Sequence, residues 1–336
     1  MDSLTHIAIG ACIGDLFLGK KIGKKAMLYG AITASLPDID FITSFWMNTP
    51  EDLLAHRGFT HSFLFAFLII ILLAIFFRKR HSAEDIPVKT WLVFLGTEIF
   101  IHIFIDAFNA YGIGWFEPFS HNRVSFNVIF VADPFFSIWP AIAAVSLLVL
   151  NRNSNKRKRV AKFGLIFCSL YLLYCISDKF KIDNKTRYTL IHEGIHYNRY
   201  FTTPTPFNNW LWYVVAETDS GYQIGYRSVF DKKEDIEFRY FPRNAYLLKP
   251  WESQKDLLKL IRFSRGYYTA ELSKQGIVFN DLCFGQIMGW QNQDAGFVFH
   301  YYLNEPDANH LVIQRGRFTN WDRMSIKEFI HRIRGN

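Results

Sequence analysis

Seven side chains able to ligate a divalent metal, His6, Asp38, Asp40, His56, His61, His102 and Asp106, occupy the first 106 residues of this 336-residue chain, each at the end of an apolar segment. Imidazole and carboxylate without thiolate suit zinc in a hydrolytic site, and also manganese or iron. His102 and Asp106 are four apart and share a helix face. Asp38 and Asp40 flank Ile39 after Pro37, where an extended chain would put both carboxylates on one side and a turn would aim them at two metals. His56 and His61 bracket Gly58 in HRGFTHS, just ahead of an apolar run. Arg57, inside that motif, cannot ligate; its fork of donors suits a phosphate or carboxylate beside the metal, with Arg123 assisting. The plainer reading of Arg57 is a salt bridge to Asp38 or Asp40, or a headgroup contact. Glu98, one helical turn before His102, either holds that imidazole through its other nitrogen or is a buried polar contact. Asp133 before Pro134 fits a helix N-cap with Pro at N1 as well as a site role, and Ser62 fits a cap for the run it precedes. Asp15 is expected to pair with the Lys20 cluster.

The elements that must position these residues are apolar. Stretches at about 3 to 18, 26 to 37, 62 to 77, 91 to 107, 135 to 150 and 163 to 177 predict five or six short helices, each slightly under the roughly 20 residues of a straight span. The net charge of +8 is not spread as a nucleic-acid surface would be, and no nucleic-acid partner is expected. Before position 178, 14 of 16 Lys and Arg residues lie in alternate loops, after segments one, three and five; only Arg57 and Arg123 do not. The positive-inside rule makes those loops cytoplasmic. All seven ligand candidates then fall on the outer side, which independent two-way choices would achieve about one time in 64. The n-region lacks positive charge and no small-residue cleavage site follows, so segment one is expected to be retained. Three of the four cysteines lie in apolar segments and Cys283 stands apart, so buried thiols are expected rather than disulfides.

MDSLTH with Gly10 following, PDID at 37 to 40, HRGFTHS at 56 to 62, HIFID at 102 to 106 with Tyr111-Gly112, and the Trp115 to Arg123 stretch together resemble the YdjM-type family of membrane-bound, metal-dependent hydrolases. The resemblance covers roughly residues 1 to 150. It implies a multi-pass inner-membrane protein, a hydrolase assignment, and metal ligation by the seven residues named above. Phe108-Asn109-Ala110 departs from the Thr-Ser pair expected there, so no role carries over to those positions.

The expected architecture is therefore a polytopic helical membrane domain at 1 to 177 and an extracytoplasmic α+β domain at 178 to 336. In the second part, Trp210 to Glu217 and Tyr222 to Phe230 around Asp219-Ser220-Gly221 predict a hairpin. Further strands are predicted at about 236 to 241, 276 to 289, 296 to 303 and 311 to 315, with helices at 257 to 263 and 325 to 334. TPTPFNNW at 203 to 210 predicts a loop leading into a strand, or a rigid linker. His192 and His196 are four apart, but their surroundings lack the zincin glutamate position, which argues against a zinc pair. The functional expectation is an outward-facing metallohydrolase holding one or two divalent ions, zinc first, in contact with membrane lipid, and acting on a lipid or lipid-linked phosphoester. The rival readings are a transporter or metal-handling protein, since intramembrane His and Asp also mark ion paths, and a scaffold with a structural metal. Nothing in the sequence specifies an oligomeric state.

Overall fold

The computed structural model describes residues 1–305, 309 and 321–335. Its helices are α1 (Ser3–Ile22), α2 (Lys25–Ala34), α3 (Thr49–Ala55), α4 (Phe63–Arg80), α5 (Val88–Asp106), α6 (Pro134–Val149), α7 (Lys156–His192), α8 (Lys255–Phe263) and α9 (Arg323–Ile333). Its strands are β1 (Arg199–Pro204), β2 (Leu211–Glu217), β3 (Gly221–Ser228), β4 (Arg239–Pro242), β5 (Tyr268–Ser273), β6 (Gly276–Gln286) and β7 (Phe297–Tyr302). Two compact units result, Met1–Phe45 with Ala55–Cys175, and Trp46–Leu54 with Ile176–Asn336.

Each predicted apolar segment is helical, but the lengths differ from the expectation of uniformly short spans. Two helices among the described residues, α5 and α7, are long and apolar enough to cross a membrane; α4 meets the test only together with the bent segment before it. The ten residues of α2 reach about 15 Å, half the hydrocarbon thickness. At 37 residues α7 is far longer than its apolar middle. Hydropathy sees only that middle, whereas the polar remainder stays helical through pairs such as Lys179 with Asp183, 3.0 Å apart one turn on. Exposed Phe67, Leu68, Ile71, Leu72, Ile75 and Phe76 give α4 an apolar face suited to lipid.

Close approach of α1 to α2 brings the site together. A Cβ on Gly14 would sit 2.1 Å from the Ala26 carbonyl oxygen, and one on Gly30 2.0 Å from that of Gly10, so the two backbones touch where only glycine fits. This crossing sets the N-terminal end of α1 beside the C-terminal end of α2. Caps define the other ends. Ser62 Oγ accepts from the Phe65 amide (3.1 Å) and starts α4. Asp133 accepts from the amides of Phe135 and Phe136 and from the Tyr171 hydroxyl, with Pro134 at N1. Asp133 is thus an N-cap, with its carboxylate spent on the start of α6.

The second unit is α+β, with antiparallel sheets in the orders β1-β2-β3-β4 and β5-β6-β7. The predicted hairpin is β2 with β3, paired from Leu211 and Ser228 to Glu217 and Tyr222. Predicted strands at 236 to 241, 276 to 289 and 296 to 303 correspond to β4, β6 and β7, and the two predicted helices to α8 and α9. Strands β1 and β5 lacked a sequence prediction, and the strand predicted at 311 to 315 lies outside the described residues. TPTPFNNW ends β1 and turns into β2, with Asn208 Oδ1 accepting from the amides of Trp210 and Leu211. Helix α7 ends at His192, so His192 and His196 do not share a helix face. All four cysteines are buried, and none is in a disulfide.

Asp281 on β6 is fully buried. Burial pushes its carboxyl up to about 7, although the Cys283 amide and Arg265 oppose the shift. The folded chain therefore holds a proton that the unfolded chain releases near pH 4. This group's contribution to stability is greatest below that point and falls by up to about 1.4 kcal/mol per pH unit until pH 7, then levels off. Thermal unfolding of the full chain in detergent between pH 4.5 and 8 is expected to show this decline, and Asp281→Asn is expected to flatten it.

Candidate metal centre

Four element ends meet at one end of the first unit. The residues after α2 supply Asp38 and Asp40 from a 3-10 turn, Pro37–Phe45. A second short 3-10 turn, Phe59–His61, delivers His61 to the N-terminus of α4. His102 and Asp106 come from the last turn of α5, and His6 from the first turns of α1.

At the centre, Asp38, His61, His102 and Asp106 each offer one ligand atom, all within 4.8 Å of one another. His61 Nε2 lies 3.1 Å from His102 Nε2. Asp38 Oδ1 is 3.4 Å from the first nitrogen and 3.5 Å from the second, and Asp106 Oδ2 is 3.6 and 3.7 Å from them. Ligand atoms around a four-coordinate zinc at 2.0–2.1 Å stand roughly 3.3 Å apart, so these edges have the right size. Asp106 Oδ2 is buried and, among the described residues, accepts no well-aligned hydrogen bond; Arg57 Nε lies 3.0 Å from it, nearer than the histidine pair's nitrogens at 3.6 and 3.7 Å.

The outer nitrogens explain why both imidazoles aim inward. His102 Nδ1 donates to the Ala34 carbonyl at 2.5 Å. His61 Nδ1 lies 3.1 Å from Thr60 Oγ1 and 3.2 Å from Asp40 Oδ2. With protons held at both Nδ1 atoms, the two Nε2 lone pairs face each other at 3.1 Å, which repels unless a cation lies between them. Burial works against ionisation of Asp40, but the Nδ1–H groups of His56 and His61 outweigh it and hold that carboxyl well below the usual range.

The other predicted ligands surround this quartet. Asp40 points away from it, accepting from the Arg57 amide (2.8 Å) and Thr60 Oγ1 (2.9 Å) and meeting His56 Nδ1 at 3.0 Å. His56 forms the rim, its side chain 40% exposed. His6 stacks on His102 with centroids 3.8 Å apart and places Nε2 3.1 Å from Asp106 Oδ1. The Met1 amino group also contacts Asp106. Arg57 is buried, with Nε 3.0 Å from Asp106 Oδ2, Nη1 on Asn109 Oδ1 (2.7 Å) and Nη2 on the Met1 carbonyl (3.2 Å). Its guanidinium is therefore committed to Asp106, not to Asp38 or Asp40, and is not an open clamp. Arg123 is bound to the carbonyls of His56 and Gly112. Glu98 touches no imidazole nitrogen; both its carboxylate oxygens are buried and unpartnered among the described residues, and Ala34 does the work assigned to it. Asn109 escaped the sequence reading. The short Asn109-Ala110-Tyr111 turn, in which Asn109 Oδ1 also accepts the Tyr111 amide, was its available signal.

A family model described as YdjM inner membrane protein matches residues 1–182. The uncharacterized protein YfhP of Bacillus subtilis (strain 168) is 30% identical over 208 residues, which cover 58% of this chain and 58% of that protein. The inner membrane protein YbcI of Escherichia coli (strain K12) is 36% identical over 123 residues, covering 36% of this chain and 69% of that protein. The chain thus spans a little over half the length of the first relative. No solved structure matches it.

Proposed function

Because the chain belongs to the YdjM inner membrane protein family, we propose that it works in that membrane as a metal-dependent hydrolase whose substrate class is a lipid or lipid-linked phosphoester. The observation that carries this reading is the facing pair of Nε2 atoms, 3.1 Å apart with Nδ1 committed on both rings. Asp38, His61, His102 and Asp106 would hold one divalent ion, zinc by the chemistry of the donor set. Such an ion activates water at neutral pH and offsets charge on a phosphoryl oxygen. We orient the basic loops toward the cytoplasm, which puts the centre and the C-terminal unit on the outer side.

The chain's own groups divide the remaining work. Asp40 fixes the His61 ring, and Arg57 with His6 fixes Asp106. His56, tied through Nδ1 to Asp40 with its ring edge exposed, is placed to hand a proton to a leaving oxygen at the rim. His56→Gln is expected to keep bound metal and lose about 100-fold in kcat, read by parallel metal analysis and turnover.

The test of the reading uses the full chain in detergent with a fluorescent phosphatidic acid and bis(p-nitrophenyl) phosphate as probes. Zinc-dependent phosphate or nitrophenol release, abolished by a chelator and restored by the metal, is expected. Turnover indifferent to the chelator, or none with either probe, would contradict it.

A further inference from the structure

The opposite end of the first unit carries a second polar feature, which the metal centre does not use. A cavity of about 530 Å³ lies there, lined by Asp15, Gly19, Lys20, Arg152, Ser154 and Lys158 among others. Asp15 is already neutralised: its Oδ1 accepts from Arg157 Nε (3.1 Å) and Nη2 (2.5 Å). The same guanidinium donates through Nη1 to the carbonyls of Leu147 and Leu150, fastening the end of α6 to the start of α7. The sequence-based pairing of Asp15 with the Lys20 cluster is thus replaced by one with Arg157. This leaves Lys20 uncompensated, and among the described residues Arg152 and Lys158 likewise form no ion pair.

Three unpaired cations therefore line one hollow whose only lining carboxylate is spent. Gly23, with φ +65°, permits one of them its position: Arg152 Nε lies 3.2 Å from where a Cβ at Gly23 would be. Arg157 and Lys158 of the first turn of α7 also line the cavity, at the positive end of that helix's dipole. Leu16 and Phe17 give the rim an apolar stretch, Phe17 at 38% exposed, and the last turn of α6, which Arg157 fastens to this end, exposes Leu148 and Val149 at 57% and 81%. We propose that this cavity binds a phosphate-bearing anion, supplied by the headgroup of an anionic phospholipid whose chains lie along that rim.

The test is native mass spectrometry of the full chain, delipidated and then titrated with phosphatidylglycerol or phosphatidylcholine. Wild type is expected to retain one phosphatidylglycerol with at least about tenfold preference. A combined Lys20→Gln, Arg152→Gln, Lys158→Gln variant is expected to lose that preference, whereas Arg78→Gln, Lys79→Gln, Arg80→Gln, which removes the same charge from the end of α4, is expected to keep it. Equal loss in both variants, or no preference in wild type, would overturn the site. Displacement of the lipid by millimolar inorganic phosphate alone would overturn the lipid as its source and leave a free anion in its place.

Discussion

Removing the His61 imidazole is expected to weaken metal binding by well over 100-fold. His61→Ala deletes one of four ligand atoms and leaves His102 Nε2 with two carboxylates. Loss of an outer partner alone costs about 10- to 100-fold at such centres, so Asp40→Asn should fall in that lower range. The ranking follows from position: Asp40 reaches the centre only through the His61 Nδ1 side, 3.2 Å away, whereas His61 Nε2 faces it. Competitive titration of purified wild type and both variants against a zinc chelator measures the order. A larger loss for Asp40→Asn than for His61→Ala would mean that the carboxylate, not the imidazole, holds the ion.

Arg57→Ala is expected to cost about 3 kcal/mol in stability of the helical unit, because Asp106 is buried and its Oδ2 would lose the nearest positive charge. His6 still meets Asp106 Oδ1, which keeps the cost at the low end for breaking a buried pair. Arg57→Lys should recover little of it. One ammonium cannot reach Asp106, Asn109 and the Met1 carbonyl at once, as the planar fork does. Thermal unfolding in detergent, followed for wild type and both variants, reads the difference. Full rescue by lysine would show that charge alone suffices.

Convergence of the ligand-bearing segment ends was legible because charge bias, apolar period and residue type are all local properties that survive without coordinates. His102 and Asp106 meet the centre as their spacing of four requires. The separation of the inner quartet from the residues around it was not legible, and the PDID motif shows why. The turn over Pro37–Phe45 is a 3-10 helix of about three residues per turn, so positions two apart point in different directions. Asp38 faces the histidine pair and Asp40 faces His56, Thr60 and the Arg57 amide. Arg57 has φ +58°, a left-handed position that no local pattern announced; its side chain is spent on Asp106. Glu98 had the spacing to hold His102, but the crossing of α1 and α2 at glycines put the Ala34 carbonyl there first. In the C-terminal unit, alternation and turn residues announced the β2–β3 hairpin, whereas β1, starting seven residues after the long α7, carried no comparable signal.

We propose that one divalent ion is held by two imidazoles and two carboxylates, those of His61, His102, Asp38 and Asp106. Zinc K-edge absorption on the full chain loaded with one equivalent of zinc tests it most directly. The expected result is a four- to five-coordinate shell of nitrogen and oxygen at about 2.0–2.1 Å, with outer-ring scattering from two imidazoles that drops to one in His102→Ala. A sulfur shell, or an all-oxygen shell with no imidazole scattering, would contradict it.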